Sequence, residues 1–311
     1  MKHTILIAGP TASGKSAFAL MLAKKMNGVV INADSMQVYR DLRILTARPS
    51  QEEEAEAPHK LYGYLDASDV CSAADWTVDA IKEIRAAQAR GQLPIVVGGT
   101  GMYFRFLLEG VATIPKIEPA IRESVRQECE QYGSEALHAR LREIDPPLFK
   151  KLHSADSQRI CRALEVWLSS GKALSEWQKK NEPGPLLSED QEGVVHKYVL
   201  SLDRETLYDR CNLRFDLMME QGTMNEVENL NRRGLDSNLP CMKSLGYPDL
   251  IRYLNKEVSL EVAIENSKMQ TRRFSKRQLT WFRNQFSQWN FIDTQQLERE
   301  SDRLIKYIIK K

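Results

Sequence analysis

The chain has 311 residues, which is enough for one large domain or two ordinary ones. Apolar residues make up 42% of the sequence and charged residues 28%, values near those of soluble globular proteins, so a disordered or fibrous chain is excluded. The formal net charge is only +2, and any affinity for nucleic acid must therefore come from local clusters of Lys and Arg.

The first predicted elements are a strand, a loop and a helix. Thr4 to Ala8 is a short apolar run rich in β-branched side chains, which predicts a strand. A glycine-rich loop follows, from Gly9 to Lys15. Apolar residues then recur with helical spacing up to Asn27-Gly28, a pair typical of a helix end.

Two further apolar runs, Val29 to Asn32 and Pro94 to Val97, predict two more strands. A charged helical pattern from Trp76 to Arg90 lies between them, and the polar segment Gly98 to Gly101 follows the second run. Strands that alternate with helices indicate a parallel sheet covered on both faces, with ligands at the carboxyl ends of the strands. The predicted fold class is therefore α/β.

The middle of the chain changes character. From about Pro115 to Leu187 the sequence is charged and helical and lacks strand-like runs. Val194 to Leu202 alternates like a strand that returns to the sheet, and residues 204–233 and 260–284 have the pattern of long helices. We therefore predict that residues 1–114 and 188–311 form the sheet-containing core and that residues 115–187 form an inserted all-helical domain.

The cysteines and apolar runs indicate the compartment. The five cysteines are odd in number, widely spaced and never in a C-x-x-C pair, which argues against a disulfide framework and a zinc knuckle. The histidines are likewise scattered without metal-ligand spacing. No run approaches the roughly 18 apolar residues of a membrane span, and the first apolar run leads into the glycine-rich loop rather than a cleavage site. We expect a cytoplasmic protein without membrane insertion or secretion.

The glycine-rich loop fits the phosphate-binding pattern G-x-x-x-x-G-K-[ST] and lies between a predicted strand and a predicted helix, as that pattern requires. Its residues are Gly9, Pro10, Thr11, Ala12, Ser13, Gly14, Lys15 and Ser16. Backbone N–H groups can surround an anion, Lys15 adds a positive charge, and the Ser16 hydroxyl suits Mg²⁺. The fold is therefore predicted to be P-loop NTPase-like, although the loop does not reveal which diphosphate or triphosphate it holds.

One carboxylate stands at the end of the second predicted strand, at Asp34. In a P-loop kinase or NTPase a residue at this place binds magnesium, whereas the alternative is an Asp that caps the following turn. The third strand ends instead in Gly98 to Gly101, which supplies the Thr100 hydroxyl but no carboxylate. A single carboxylate must therefore serve the predicted site.

Three segments in this order resemble motifs of the tRNA dimethylallyltransferases, also called isopentenyl-tRNA transferases: Gly9 to Ser16, Asp34 to Tyr39, and Gly98 to Tyr103. The resemblance continues through residues 156–166, 214–222, 245–247 and 276–283 and so spans nearly the whole chain. One departure is Ser16, which stands where the family usually has Thr but keeps the hydroxyl, so it bears only on magnesium geometry or affinity.

The resemblance implies that the donor is dimethylallyl diphosphate, that the acceptor is N6 of the adenosine just 3′ of the tRNA anticodon, and that Mg²⁺ assists. An exocyclic adenine amine is a poor nucleophile, so the enzyme must position it and accept its proton. By the resemblance, Asp34 forms a hydrogen bond with this amine and is the candidate base. Lys15, Thr100 and Arg214 are expected to stabilise the leaving diphosphate. Arg214 could instead be a solvated residue on a charged helix. A monomer is expected.

The predicted tRNA contacts fall in three groups, of which the group in the insert is implied by the resemblance. Near the catalytic residues they are Asp34, Ser35, Met36, Gln37 and Thr100; in the insert they are Arg122, Gln158, Arg159, Ile160, Cys161 and Arg162; in the basic segment 267–284 they are Lys276, Arg277, Gln278, Trp281 and Arg283. Cations interleaved with aromatic residues suit RNA, and the adenine must leave its stack to react. Each group also has an ordinary structural alternative: a turn residue at Gln37, pairing of Arg162 with Glu165, and a solvated helix face with core aromatics.

Three other functions remain open from the residues alone. They are a P-loop nucleoside or nucleotide kinase, an adenylate prenyltransferase that makes free cytokinins, and an RNA-binding module with a regulatory nucleotide site. The basic segment favours tRNA over a free nucleotide as acceptor. The binding module is disfavoured because Lys15, Asp34 and Thr100 converge on neighbouring strand ends.

Overall fold

The computed structural model describes residues 2–179 and 182–309. Met1, Lys180, Asn181, Lys310 and Lys311, which the predicted domain ranges include, lie outside the described residues. The chain forms two compact units, Met1–Leu107 with Leu186–Lys311, and Leu108–Pro185. The sequence places the corresponding boundaries at 114/115 and 187/188.

The first unit is built on one six-stranded sheet in which all neighbouring strands are parallel. The strands are β1 (Thr4–Ala8), β2 (Gly28–Asn32), β3 (His59–Lys60), β4 (Leu93–Gly98), β5 (Val195–Ser201) and β6 (Asn290–Asp293), in the spatial order β3-β2-β4-β1-β5-β6. Every residue of β1, β2 and β4 is buried, because helices cover both faces of the sheet. This architecture confirms the predicted P-loop NTPase-like fold class.

Strand register brings three loops together. Ala8 lies beside Gly98 across the β1–β4 pair, and Asn32 lies beside Val97 across the β2–β4 pair. The carboxyl ends of β1, β2 and β4 therefore meet at one edge of the sheet, where ligands bind in open α/β folds.

Helices surround this sheet. They are α1 (Lys15–Lys25), α2 (Gln51–Glu56), α3 (Ala73–Ala89), α4 (Gly101–Glu109), α9 (Leu187–Gln191), α10 (Arg204–Glu220), α11 (Thr223–Asn231), α12 (Tyr247–Leu254), α13 (Leu260–Gln285) and α14 (Leu297–Ile309), with the helices between α4 and α9 in the second unit. Short 3₁₀ turns span Cys241–Lys243 and Thr294–Gln296.

The long helix α13 packs against α10. Ser267, Thr271 and Ser275 recur one turn apart on α13 and are buried. The hydroxyls of Ser267 and Thr271 donate to the carbonyls of Ala263 and Ser267, at 2.8 and 2.9 Å, so these polar groups are satisfied inside the protein. Their small size suits a close approach between helices.

The second unit is helical and consists of α5 (Pro119–Ile144), α6 (Pro146–Lys151), α7 (Ser157–Ser170) and α8 (Leu174–Gln178). Gly133, at φ 80°, interrupts α5 with a conformation that glycine adopts without strain. Helices α5 and α7 pack together around Leu141, Ile160 and Leu164. Across the described residues of both units, no helix is both long and apolar enough to cross a membrane.

Candidate active site

The phosphate loop connects β1 to α1. Ala12 and Gly14 have φ of 64° and 84°, in the left-handed region, and Gly14 is the N-cap residue of α1. A Cβ on Gly9 would lie 2.8 Å from Ser13 Oγ, so the loop closes tightly on itself at this position. A tight glycine-containing loop that leads into the N-terminus of a helix is a common binding site for phosphate groups.

Lys15 is a partly buried cation in this loop, and its ammonium donates to the carbonyl of Pro10 at 3.3 Å. Burial lowers the pKa of Lys15 to about 8, while nearby Asp34 raises it and Arg214 lowers it further. An ammonium group with a depressed pKa is stabilised by an anion, which is what a bound diphosphate supplies.

Asp34 follows β2, and its backbone forms two hydrogen bonds with the side chain of Asn32. Its N–H donates to Asn32 Oδ1 at 2.8 Å, and Asn32 Nδ2 donates back to the Asp34 carbonyl at 3.0 Å. The carboxylate oxygen Oδ1 accepts from Met36 N–H at 2.9 Å. The other oxygen, Oδ2, accepts no hydrogen bond from the described residues. One carboxylate oxygen is thus available to a ligand.

Thr100 lies in the loop after β4, beside the segment that carries Asp34. Its N–H donates to the Ala33 carbonyl at 3.1 Å, and its hydroxyl accepts from Ser35 N–H at 3.0 Å. A Cβ on Gly98 would lie 2.0 Å from the Ala33 carbonyl oxygen, so only glycine allows these two strand ends to approach. Asp34 and Thr100 therefore lie side by side, as predicted.

Arg214 projects from α10 into the same region, and its Nη2 donates to Thr11 Oγ1 in the phosphate loop. The side chain is partly buried rather than solvated, and burial lowers the pKa of its guanidinium. The structure therefore brings Lys15, Asp34, Thr100 and Arg214 to one place. Arg214 is not the solvated helix residue that the sequence left as an alternative.

Two cavities adjoin Arg214. One, of about 320 Å³, is lined by Asp34, Ser35, Thr100 and apolar side chains that include Met36, Leu45, Phe215 and Phe274. The other, of about 560 Å³, is lined by residues 12–17 of the phosphate loop and by Arg43, Arg48 and Arg210. Arg214 and Met218 line both cavities, so the cavity with Asp34 and apolar walls borders the cavity that contains the phosphate loop.

The oxygen donors present suit magnesium only in company with a phosphate group. Within the described ranges, no group of three or more His, Cys, Asp or Glu side chains could hold a metal ion. Mg²⁺ commonly binds one or two protein oxygens together with phosphate oxygens and water. The exposed Ser16 hydroxyl at the phosphate loop fits that mode of binding.

Sequence reasoning missed several residues that line these cavities. Arg210 precedes Arg214 by one helical turn, and its Nη1 lies 3.8 Å from the position of a Cβ on Gly14. The shared helix face was a signal that could have found it. Lys243 and Ser244 line the cavity of Asp34 but lie at the end of a 3₁₀ turn, for which the sequence has no periodic signal.

Residues near Asp34 that were predicted to bind tRNA differ in placement. Ser35 and Met36 line the cavity of Asp34. Gln37 is not among the described residues that line it. The Gln37 amide donates instead to the carbonyls of Thr46 and Ala47, at 2.9 and 2.7 Å, and so stabilises the neighbouring loop. These contacts match the alternative weighed from the sequence, in which Gln37 is a structural turn residue.

The predicted tRNA contacts on α13 fall on two faces. Lys276, Arg277 and Arg283 are exposed, and Arg277 also lines the cavity of Asp34. Trp281 is partly buried beside Phe286, with ring centroids 5.0 Å apart. Gln278 is buried, and both ends of its amide bond within the protein.

The predicted contacts in the second unit lie on α5, at Arg122, and on α7. Gln158 and Arg159 are exposed, whereas Ile160 and Cys161 belong to the apolar core of this unit. Arg162 lies 3.5 Å from Glu165, so the intrahelical ion pair weighed from the sequence is present. Glu165 is buried and Arg162 is partly exposed, so this ion pair lies at the edge of the core of the unit.

Known proteins share this architecture and sequence. A sequence model of the family described as IPP transferase matches residues 37–285. The chain belongs to this family. The chain is 47% identical over 296 residues to the tRNA dimethylallyltransferase of Nitrobacter hamburgensis, covering 95% of this chain and 92% of that one. It is 48% identical over 306 residues to the tRNA dimethylallyltransferase of Parvibaculum lavamentivorans, covering 98% and 96%. The resemblance proposed from the motifs is confirmed.

Solved structures agree. The tRNA isopentenylpyrophosphate transferase of Bacillus halodurans superposes with a TM-score of 0.70 at 32% identity, covering 100% of this chain and 98% of that one. A eukaryotic dimethylallyltransferase acting on tRNA gives a TM-score of 0.77 at 28% identity, covering 93% of this chain and 73% of that one.

Proposed function

We propose that this chain transfers a dimethylallyl group from dimethylallyl diphosphate to N6 of the adenosine next to the tRNA anticodon and releases diphosphate. The names of the relatives, tRNA dimethylallyltransferase, confirm the predicted type of enzyme. One observation supports the chemistry most directly. A single carboxylate, Asp34, has one oxygen available in a cavity that borders the phosphate loop at Arg214.

The donor fits across the two cavities. The diphosphate occupies the phosphate loop, where N–H groups and Lys15 bind its oxygens, and Arg214 contacts it from α10. The allyl group enters the cavity of Asp34, whose apolar walls include Leu45 and Phe215. Burial of the five-carbon chain against these walls favours binding and excludes water from the reacting carbon.

The adenine of the tRNA, which is the acceptor, enters the same cavity as the allyl group. In the reaction, the N6 lone pair forms a bond to the allylic carbon, the carbon–oxygen bond breaks, and its electron pair leaves with the diphosphate. Asp34 Oδ2 accepts the proton that N6 loses. Lys15 and Arg214 stabilise the charge that gathers on the leaving group. Mg²⁺ bound with the diphosphate would add further positive charge there, with the Ser16 hydroxyl as its protein ligand.

The RNA lies along the exposed cations of α13 in this proposal. Lys276, Arg277 and Arg283 are exposed, and Arg277 reaches the cavity wall. Phosphate contacts from such cations position an RNA loop, and the adenine turns out of its stack to reach Asp34. The exposed residues Gln158 and Arg159 of the second unit are proposed as further tRNA contacts. We propose that the enzyme acts as a cytoplasmic monomer.

The test is to supply Mg²⁺, unmodified tRNA and either dimethylallyl diphosphate or ATP, and then to weigh the digested nucleosides. The expected product is an adenosine heavier by one isopentenyl group, formed only with the allylic donor. Phosphorylated product from ATP would support the kinase alternative instead. Prenylation of free adenylate in preference to tRNA would support the cytokinin-forming alternative.

A further inference from the structure

Gln278 is a buried amide between two loops of the active site. It lies on α13 and is 7% exposed. Its Oε1 accepts from Thr11 N–H at 2.8 Å, and its Nε2 donates to the Gly99 carbonyl at 2.9 Å. Thr11 belongs to the phosphate loop, and Gly99 belongs to the loop that carries Thr100. The two bonds fix the orientation of the amide, because one partner is a donor and the other an acceptor.

The space around this amide is closely fitted. A Cβ on Gly99 would lie 2.3 Å from Gln278 Nε2, so a larger residue at this position would displace the amide. The same Cβ would lie 3.4 Å from Asp34 Oδ2, which places the proposed proton acceptor beside the bridged loop. A buried amide without partners is costly, so the two hydrogen bonds hold both loops at a defined separation.

The two loops that Gln278 bridges act on different substrates in the proposed reaction: the phosphate loop on the donor, and the loop after β4 on the acceptor. The phosphate loop holds the leaving diphosphate through Lys15, and Thr11 also receives the hydrogen bond from Arg214. The loop after β4 holds Thr100, whose hydroxyl accepts from Ser35 N–H in the segment after Asp34. A change in the separation of these loops therefore changes the distance between the donor carbon and the amine that Asp34 orients.

We propose that Gln278 is a positioning residue: its amide ties the phosphate loop to the Gly99–Thr100 loop and sets the alignment of donor and acceptor. This inference rests on the proposed prenyl transfer. It also assigns Gln278 a role different from the tRNA contact predicted from the sequence. Its neighbours Lys276 and Arg277 are exposed, so in this proposal one helix carries both cations that contact RNA and a buried amide that positions the active-site loops.

The test uses Gln278→Met, which keeps the length and shape of the side chain but removes both hydrogen bonds. Misplacement of reacting groups by about 1 Å can slow a reaction roughly 100-fold, so the single-turnover rate at saturating tRNA and donor should fall by about 10-fold to 100-fold. The tRNA dissociation constant should stay within about twofold of the wild-type value. Gln285→Met, the same change at an exposed position of α13, is the matched control and should retain the full rate.

Gly99→Ala should disrupt the hydrogen bond between Gln278 Nε2 and the Gly99 carbonyl by displacing the amide. This second variant replaces Gln278→Met in the test if the melting temperature shows that Gln278→Met does not fold. A weakened tRNA affinity with a normal saturated rate in Gln278→Met would overturn the proposal and make Gln278 an RNA contact. A normal rate in both variants would also overturn it. Wild-type enzyme in the same assay separates the two questions, because absent prenylation there contradicts the proposed function rather than the role of Gln278.

Discussion

The ionisation of Lys15 predicts how donor affinity depends on pH. The Lys15 ammonium donates a hydrogen bond to the Pro10 carbonyl within the phosphate loop, and burial lowers the pKa of Lys15 to about 8. Only the ammonium form attracts a diphosphate. With that pKa, about 90% of the free enzyme is protonated at pH 7 and about 10% at pH 9. Donor affinity should therefore fall about tenfold between these pH values, since binding above pH 8 requires uptake of a proton.

The assay is equilibrium binding of dimethylallyl diphosphate across this interval, with Lys15→Arg as the control. A guanidinium stays charged throughout, so the variant reports the titration of the ligand and of other groups. The difference between the two profiles isolates Lys15. Parallel profiles for both proteins would refute the reasoning, because the loss would then come from a group other than Lys15.

The same pKa has a consequence for stability. A lysine whose folded pKa is below its unfolded value binds fewer protons in the folded chain, between pH 8 and 10.5. In that window the contribution of Lys15 makes the free energy of unfolding increase with pH. The sign is opposite to that of a lysine stabilised by an ion pair.

Three further predictions concern separate parts of the site. Replacing Lys276 and Arg277 together by Ala should weaken tRNA binding and reduce its salt dependence by roughly one to two phosphate contacts, measured by titration at several salt concentrations; an unchanged salt slope would contradict this. Arg214→Ala should slow single-turnover prenylation by about 10²-fold to 10³-fold, since it removes charge beside the leaving group, and a normal rate would exclude that role. Gly98→Ala should lower stability by about 1–3 kcal/mol in a denaturant titration, because its Cβ would lie 2.0 Å from the Ala33 carbonyl oxygen; unchanged stability would show that the strand ends separate freely.

The sheet was largely predictable from the sequence. Its central strands are buried on both faces and therefore appear as continuous apolar runs, as in Thr4–Ala8 and Leu93–Gly98. The edge strands His59–Lys60 and Asn290–Asp293 were not predicted, because they are short and mostly polar and so have no periodic apolar signal.

The site was predictable where residue type alone determines the chemistry. Lys15, Asp34 and Thr100 follow strands that the fold must bring together, so their proximity could be inferred. Gln278 and Gln37 show the limit of this reasoning. Both carry amides that suit RNA bases equally well, and only the three-dimensional structure shows that these amides bond backbone groups inside the protein.

The central claim is that Asp34 accepts the proton of N6 beside the bound diphosphate, and Asp34→Asn tests it most directly. The variant keeps the size of the side chain but removes its basicity. A positioned base contributes about 10²-fold to 10⁴-fold, roughly 3–5 kcal/mol of barrier. Single-turnover prenylation at saturating tRNA and donor should slow by that factor, while the dissociation constant of dimethylallyl diphosphate with Mg²⁺ changes little. A large loss of donor affinity with a normal saturated rate would contradict the claim and make Asp34 chiefly a magnesium ligand.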